Sequence, residues 1–115
     1  MSVTIYHNPR CGKSRQTLQL IQAQGIEPEI VEYLKNPPSA EVLEDILQKL
    51  GMESRELMRK KEVNYKANGL EDVFLDRKTL ITAMITHPIL IERPIVLANG
   101  KAAIGRPPEA VLAIL

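Results

Sequence analysis

Two short β-branched runs on either side of one helix-length segment constrain this chain most. Val3–Tyr6 and Glu29–Leu34 both read as strands, and Asn8-Pro9 ends the first. Between them, from Lys13 to Gln24, the apolar residues Leu18 and Ile21, with Leu20 and Ala23 beside them, predict a helix closed by Gly25. About twenty residues between the strands are far too many for a hairpin turn, so the pair must be parallel, with a right-handed crossover.

The other end of the chain has a different signature. Ile95–Ala98 and Lys101–Ile104 flank Asn99-Gly100, a dipeptide suited to a two-residue hairpin turn. Pro107 and Pro108 suit the first turn of a last helix, Glu109–Leu115. Between the two ends, Asn36-Pro37-Pro38 breaks the chain. Ser39 then caps a helix with the face Val42, Leu43, Ile46, Leu47 and Leu50, ended by Gly51. Ser54 is expected to cap a shorter helix carrying Leu57 and Met58, and Lys60 to Gly69 to be a polar loop. Asp76 caps another helix, through Leu80, Ala83 and Met84, which must finish before Pro88. Met52, Met58 and Met84 read as packing, and His87 as a helix C-terminal cap. The order is β-α-β, a helical block, then β-β-α. That is an α/β chain of thioredoxin-like topology with a mixed four-stranded sheet. It is expected to be a single domain over 1–115 with a helical insertion at about 37–90.

Composition removes several function classes. Aromatic residues are 3% of the 115, so the core must be aliphatic and base-stacking platforms are not expected. A net charge of +1 provides no global field for nucleic acid or membrane, and any anion site must be local. The start meets a His and a Pro before any long apolar run, unlike a signal peptide, and no apolar stretch approaches the roughly 20 residues of a membrane span. The single cysteine cannot form an internal disulfide, and a cytoplasmic protein is expected.

That cysteine is the most informative residue. Cys11 falls between the first strand and the first helix, in His7-Asn8-Pro9-Arg10-Cys11-Gly12-Lys13-Ser14-Arg15. A helix N-terminus offers partial positive charge and free N–H groups, and Arg10, Lys13, Arg15 and a protonated His7 would add full charge. A lone cysteine is ordinarily a buried, inert one, but such residues are not usually set in a basic turn. The spacing excludes two other chemistries. A phosphatase loop needs an arginine six residues on, where Thr17 stands, and a dithiol motif needs a cysteine three residues on, where Ser14 stands. One Cys with His7 and His87 does not make a plausible metal site.

Three segments in order resemble the glutaredoxin-linked arsenate reductase family. They are His7-Asn8-Pro9 with Cys11-Gly12 and Ser14-Arg15, then His87-Pro88-Ile89-Leu90-Ile91-Glu92-Arg93-Pro94-Ile95-Val96, then Gly105-Arg106-Pro107. The resemblance runs from about Val3 to Leu115. It implies a nucleophile at Cys11, a role for His7 in favouring its thiolate, and oxyanion-holding arginines at Arg59, Arg93 and Arg106. By itself Arg59, in Arg59-Lys60-Lys61, reads as a solvated helix end. Gly12, Ser14, Arg15 and Pro94 would support the site, with a cis bond from Arg93 to Pro94. Lys13 stands where plasmid-type members carry Thr, and the chain stops at Leu115 without their longer tail. Both features are similar to a short chromosomal branch.

The family implies that Cys11 attacks arsenate and that an external thiol resolves the adduct, glutathione first and then glutaredoxin, with no bound cofactor. Two other readings stay open on sequence. One is a thiol-sensing transcription regulator of the same fold. The other is a reductase of a different oxyanion or of a glutathione mixed disulfide.

Overall fold

The computed structural model describes residues 2–115. The chain forms two compact units, one made of the stretch up to Asn36 together with Arg93–Leu115, the other of Pro37–Glu92.

The first unit holds the sheet, in the order β2-β1-β3-β4: β1 is Val3–Tyr6, β2 Glu29–Val31, β3 Ile95–Ala98 and β4 Lys101–Ile104. β1 pairs parallel with β2 and antiparallel with β3, and β3 pairs antiparallel with β4. The sheet is therefore mixed, as expected. Asn99 (φ 54°) and Gly100 (φ 73°) both lie in the left-handed region that the two-residue hairpin turn demands. The register aligns Tyr6 with Val31 and Ile95, and Ile95 with Ile104. Four chain segments therefore leave or enter the sheet at one end: the one after β1, the one after β2, the one before β3 and the one after β4.

Helix α1, Gly12–Ala23, links β1 to β2. Its buried line is Ser14, Thr17 and Ile21, three and four residues apart. Leu18 and Leu20 are only half-buried and Ala23 is exposed. Ile21 joins Val3, Ile5, Val96, Ala98, Val111 and Ile114 in an aliphatic core. β2 is shorter than expected. After Val31 the N–H groups of Lys35 and Asn36 both bond the Glu32 carbonyl, so the chain turns instead of continuing the ladder. The expected final helix is a 3₁₀ segment, Pro108–Ile114.

In the second unit, α2 (Ala40–Leu50) begins at Ser39, whose hydroxyl accepts from the Val42 amide, and ends at left-handed Gly51. Leu43, Ile46 and Leu47 are buried, whereas Val42 faces outward at 40% exposure. The next turn, Ser54–Leu57, is 3₁₀, and its cap is Glu53 rather than Ser54: the Glu53 and Glu56 side chains bond each other's backbone amides. Within the expected polar loop lies a short helix, α3, Val63–Ala67, anchored by buried Tyr65. α4, Arg77–Thr86, is capped by Asp76 through the Thr79 amide and stops before Pro88. Arg77 ties α4 to α2 through Glu44 (2.7 Å) and also holds Glu53 (3.0 Å).

Candidate active site

Cys11 occupies the N-cap position of α1, half-buried, with extended backbone. Its N–H donates to the Asn8 carbonyl and its own carbonyl accepts from the Arg15 amide, so the loop is tied down on both sides of the sulfur. The sulfur accepts no full-geometry capping bond. Burial pushes the thiol pKa up. The Ser14 amide, the Arg93 guanidinium by hydrogen bond and by charge, and the Lys13 amide outweigh it, so the pKa is lowered. Arg106 adds a contact of 3.6 Å from Nη2 to the sulfur.

The arginines that act on Cys11 come from the far end of the chain. The charge felt most strongly is that of Arg93, not those of the sequence neighbours Arg10, Lys13 and Arg15. Arg15 instead bonds the Pro9 carbonyl (3.0 Å). Arg106 Nε donates to the Arg93 carbonyl at 2.8 Å, fixing the plane of its guanidinium, and Gly105 N–H donates to the Pro94 carbonyl at 2.9 Å. The Arg93–Pro94 bond is cis, as the motif implies, and so is Arg106–Pro107, which was not anticipated.

Gly105 has a role the sequence did not reveal. A Cβ there would run into the Thr17 side chain and come within 2.8 Å of Pro94 Cγ. The residue lets the end of β4 pass between α1 and the Arg93-Pro94 turn. Thr17, fully buried, donates to the Lys13 carbonyl at 2.8 Å, so the contact surface is a fixed one.

His7 sits against the first turn of α1. It is buried at 6% exposure, and its Nδ1 lies 2.6 Å from Ser14 Oγ, which also accepts from the Asn8 amide at 3.0 Å. Burial lowers its pKa, the Glu32 carboxylate pulls it back up, and Arg15 lowers it further; the net shift is downward. The shift favours the neutral ring, and the contact with Ser14 ties His7 to the first turn of α1.

Arg59 belongs to the other unit. Met58 bridges Ile91, the Arg59 amide donates to the Leu90 carbonyl (2.7 Å), and Arg59 Nη1 bonds Glu92 at 2.9 Å. Its Nε is buried without a hydrogen-bond partner. His87 ends α4, its amide donating to the Ala83 carbonyl and its Nδ1 lying 3.4 Å from Asn64 Nδ2. Among the described residues no group of His, Cys, Asp or Glu side chains is arranged to hold a metal ion. Nor is any helix among them long and apolar enough to cross a membrane.

A lone cysteine at a helix start, faced by arginines from a Pro-containing turn and a Gly-Arg-Pro turn, is matched by one family model, ArsC, over residues 6–114. The chain belongs to the ArsC family. It is 59% identical to the uncharacterized protein YfgD of Escherichia coli K12 over 98% of this chain and 96% of that one. It is 52% identical to an arsenate reductase of Neisseria meningitidis serogroup A, over 98% of this chain and 97% of that one. The solved structure of an arsenate reductase from Vibrio cholerae superposes on this ArsC family member with a TM-score of 0.97 at 54% identity, covering 100% of this chain and 98% of that one.

Proposed function

We propose that this chain reduces arsenate to arsenite through a covalent adduct on Cys11. The observation that carries the reading is the thiol at the start of α1, its pKa lowered, with Arg93 and Arg106 both directed at its sulfur. Arsenate is a tetrahedral oxyanion, and guanidinium forks bind such groups through paired charge-assisted hydrogen bonds. In this reading Arg93 and Arg106 hold the arsenate oxygens, while the first-turn amides of α1 stabilise developing negative charge. The Cys11 sulfur bonds to arsenic, and one arsenate oxygen leaves as water with the thiol proton.

The chain has one cysteine, so the two electrons that convert arsenic(V) to arsenic(III) need a second thiol from outside. Over the whole reaction, two thiols give up two hydrogens and join as a disulfide, and arsenate loses one oxygen as water. Glutathione and then glutaredoxin fill that role in the proposal, and the cytoplasm, where thiols stay reduced, is the matching compartment. The test is arsenite production from arsenate with glutathione and glutaredoxin, beside Cys11→Ser. Activity in the parent and none in the variant is expected; an inactive parent with a reactive Cys11 overturns the reading.

A further inference from the structure

One fully buried polar side chain stands between the two sets of groups that face Cys11. Thr17 lies on α1 beyond the cysteine and has no exposure, so it touches no ligand itself. Its hydroxyl donates to the Lys13 carbonyl at 2.8 Å, within the turn whose Lys13 and Ser14 amides act on the sulfur. That bond holds the side chain in one rotamer, and the rotamer aims both branches at the end of β4. A Cβ on Gly105 would run into Thr17 Oγ1 and stand 3.0 Å from its Cγ2, so the bare glycine packs directly on the threonine. On its other side Gly105 meets Pro94, whose carbonyl accepts from the Gly105 amide at 2.9 Å. Arg106 comes next in the chain, with Nε on the Arg93 carbonyl and Nη2 at 3.6 Å from the sulfur.

From this we infer that Thr17 is a positioning residue for the oxyanion site, a spacer of fixed shape that sets where Arg106 stands relative to the Cys11 sulfur. The sulfur belongs to the start of α1 and the guanidinium to the end of β4, and the Thr17 side chain is the contact through which one segment places the other. Burial alone would be served by any aliphatic residue of that size. What the site needs is a short, branched side chain with one orientation, because Gly105 leaves room for nothing longer. A guanidinium fork holds an oxyanion through paired bonds, and such an arrangement loses most when it moves by about an ångström. The inference rests on the reading that an oxyanion sits at Cys11, and it names a residue that shapes that site from behind.

Sulfate, a tetrahedral oxyanion that thiols do not reduce, reports this geometry without turnover. The full chain is alkylated at Cys11 with iodoacetamide at fixed pH and ionic strength, and the sulfate concentration that halves the rate is measured. The proteins compared are the parent, Thr17→Ala, Thr17→Val and Ile21→Val, with thermal melting beside each. Thr17→Ala opens space against Gly105, and its half-protecting concentration should rise on the order of tenfold. Thr17→Val keeps both branches in the rotamer that a helix imposes, and sulfate should protect it as it protects the parent. Ile21→Val removes one methylene from the buried line of the same helix; it should lower the melting temperature and leave protection unchanged, which separates placement from stability. Equal protection of the parent and Thr17→Ala overturns the spacer, as does an equal loss in Thr17→Val or Ile21→Val, or a parent that sulfate does not protect. Arsenite production is scored apart from this. The expected protection pattern in a chain that makes no arsenite upholds the spacer and overturns the arsenate reading, whereas an active chain with unaltered protection in Thr17→Ala overturns the spacer alone.

Discussion

Arg59 and Arg77 of one unit and Arg106 of the other are held in different ways. In Pro37–Glu92 the guanidinium of Arg77 is shared between Glu44 and Glu53, and that of Arg59 is bonded to Glu92. In the sheet unit Arg106 is held by a backbone carbonyl and points at Cys11, as Arg93 does. A carboxylate partner neutralises a cation and spends its donors, whereas a carbonyl orients the cation and keeps the charge. One arrangement stabilises a fold; the other suits the proposed anion site.

Breaking the oriented cation should have the largest effect. Arg106→Lys keeps the charge but loses the planar fork that bonds the Arg93 carbonyl and reaches the sulfur. Arsenate reduction is expected to fall on the order of 100-fold while the melting temperature holds. Equal rates in the two proteins would count against the clamp.

Next comes the packing that puts Arg106 in place. Gly105→Ala forces a Cβ against Thr17 and Pro94, both buried, so the cost should resemble overpacking, about 1–3 kcal/mol by denaturant titration. Activity should drop with it, because Arg106 moves with its neighbour. A variant as stable and active as the parent would mean that α1 gives way freely.

The smallest effect on chemistry belongs to the paired arginine. Arg77→Ala removes the link between α2 and α4 and should lower the melting temperature by about 5 °C. The pH midpoint of Cys11 alkylation should not move. A shifted midpoint would show that the two units are not as separate in role as their arginines suggest.

Much of this was legible in the residues, for reasons that differ by element. Ser39, Gly51, Asp76 and Asn99-Gly100 mark element ends by local chemistry, which needs no tertiary context, and each stands where its chemistry places it. The failures are tertiary. Glu29–Leu34 has strand composition throughout, but Glu32 takes the amides of Lys35 and Asn36 and stops the ladder. Val63–Ala67 lies within the polar stretch Lys60 to Gly69, and the burial of Tyr65, invisible in periodicity, anchors the short helix. On α1 the buried line runs through Ser14 and Thr17, small polar residues that a reading of apolar spacing passes over. At the site, the motif pointed to Arg93 and Arg106, but local sequence pointed to Arg10, Lys13 and Arg15 as the charges on Cys11. Sequence proximity is no guide to which cation faces a sulfur. His7 could add charge only when protonated, and its burial, which lowers its pKa, is not legible in the sequence.

The central claim is that Arg93 and the first turn of α1 lower the pKa of Cys11, and the rate of iodoacetamide alkylation against pH tests it most directly. The rate rises with the thiolate fraction, so its midpoint reports the thiol pKa. For the parent the midpoint should lie below the ordinary cysteine value of roughly 8.5, and Arg93→Gln should move it upward by removing both a hydrogen bond and a charge. A parent midpoint at the ordinary value, or one that Arg93→Gln leaves in place, would contradict the account.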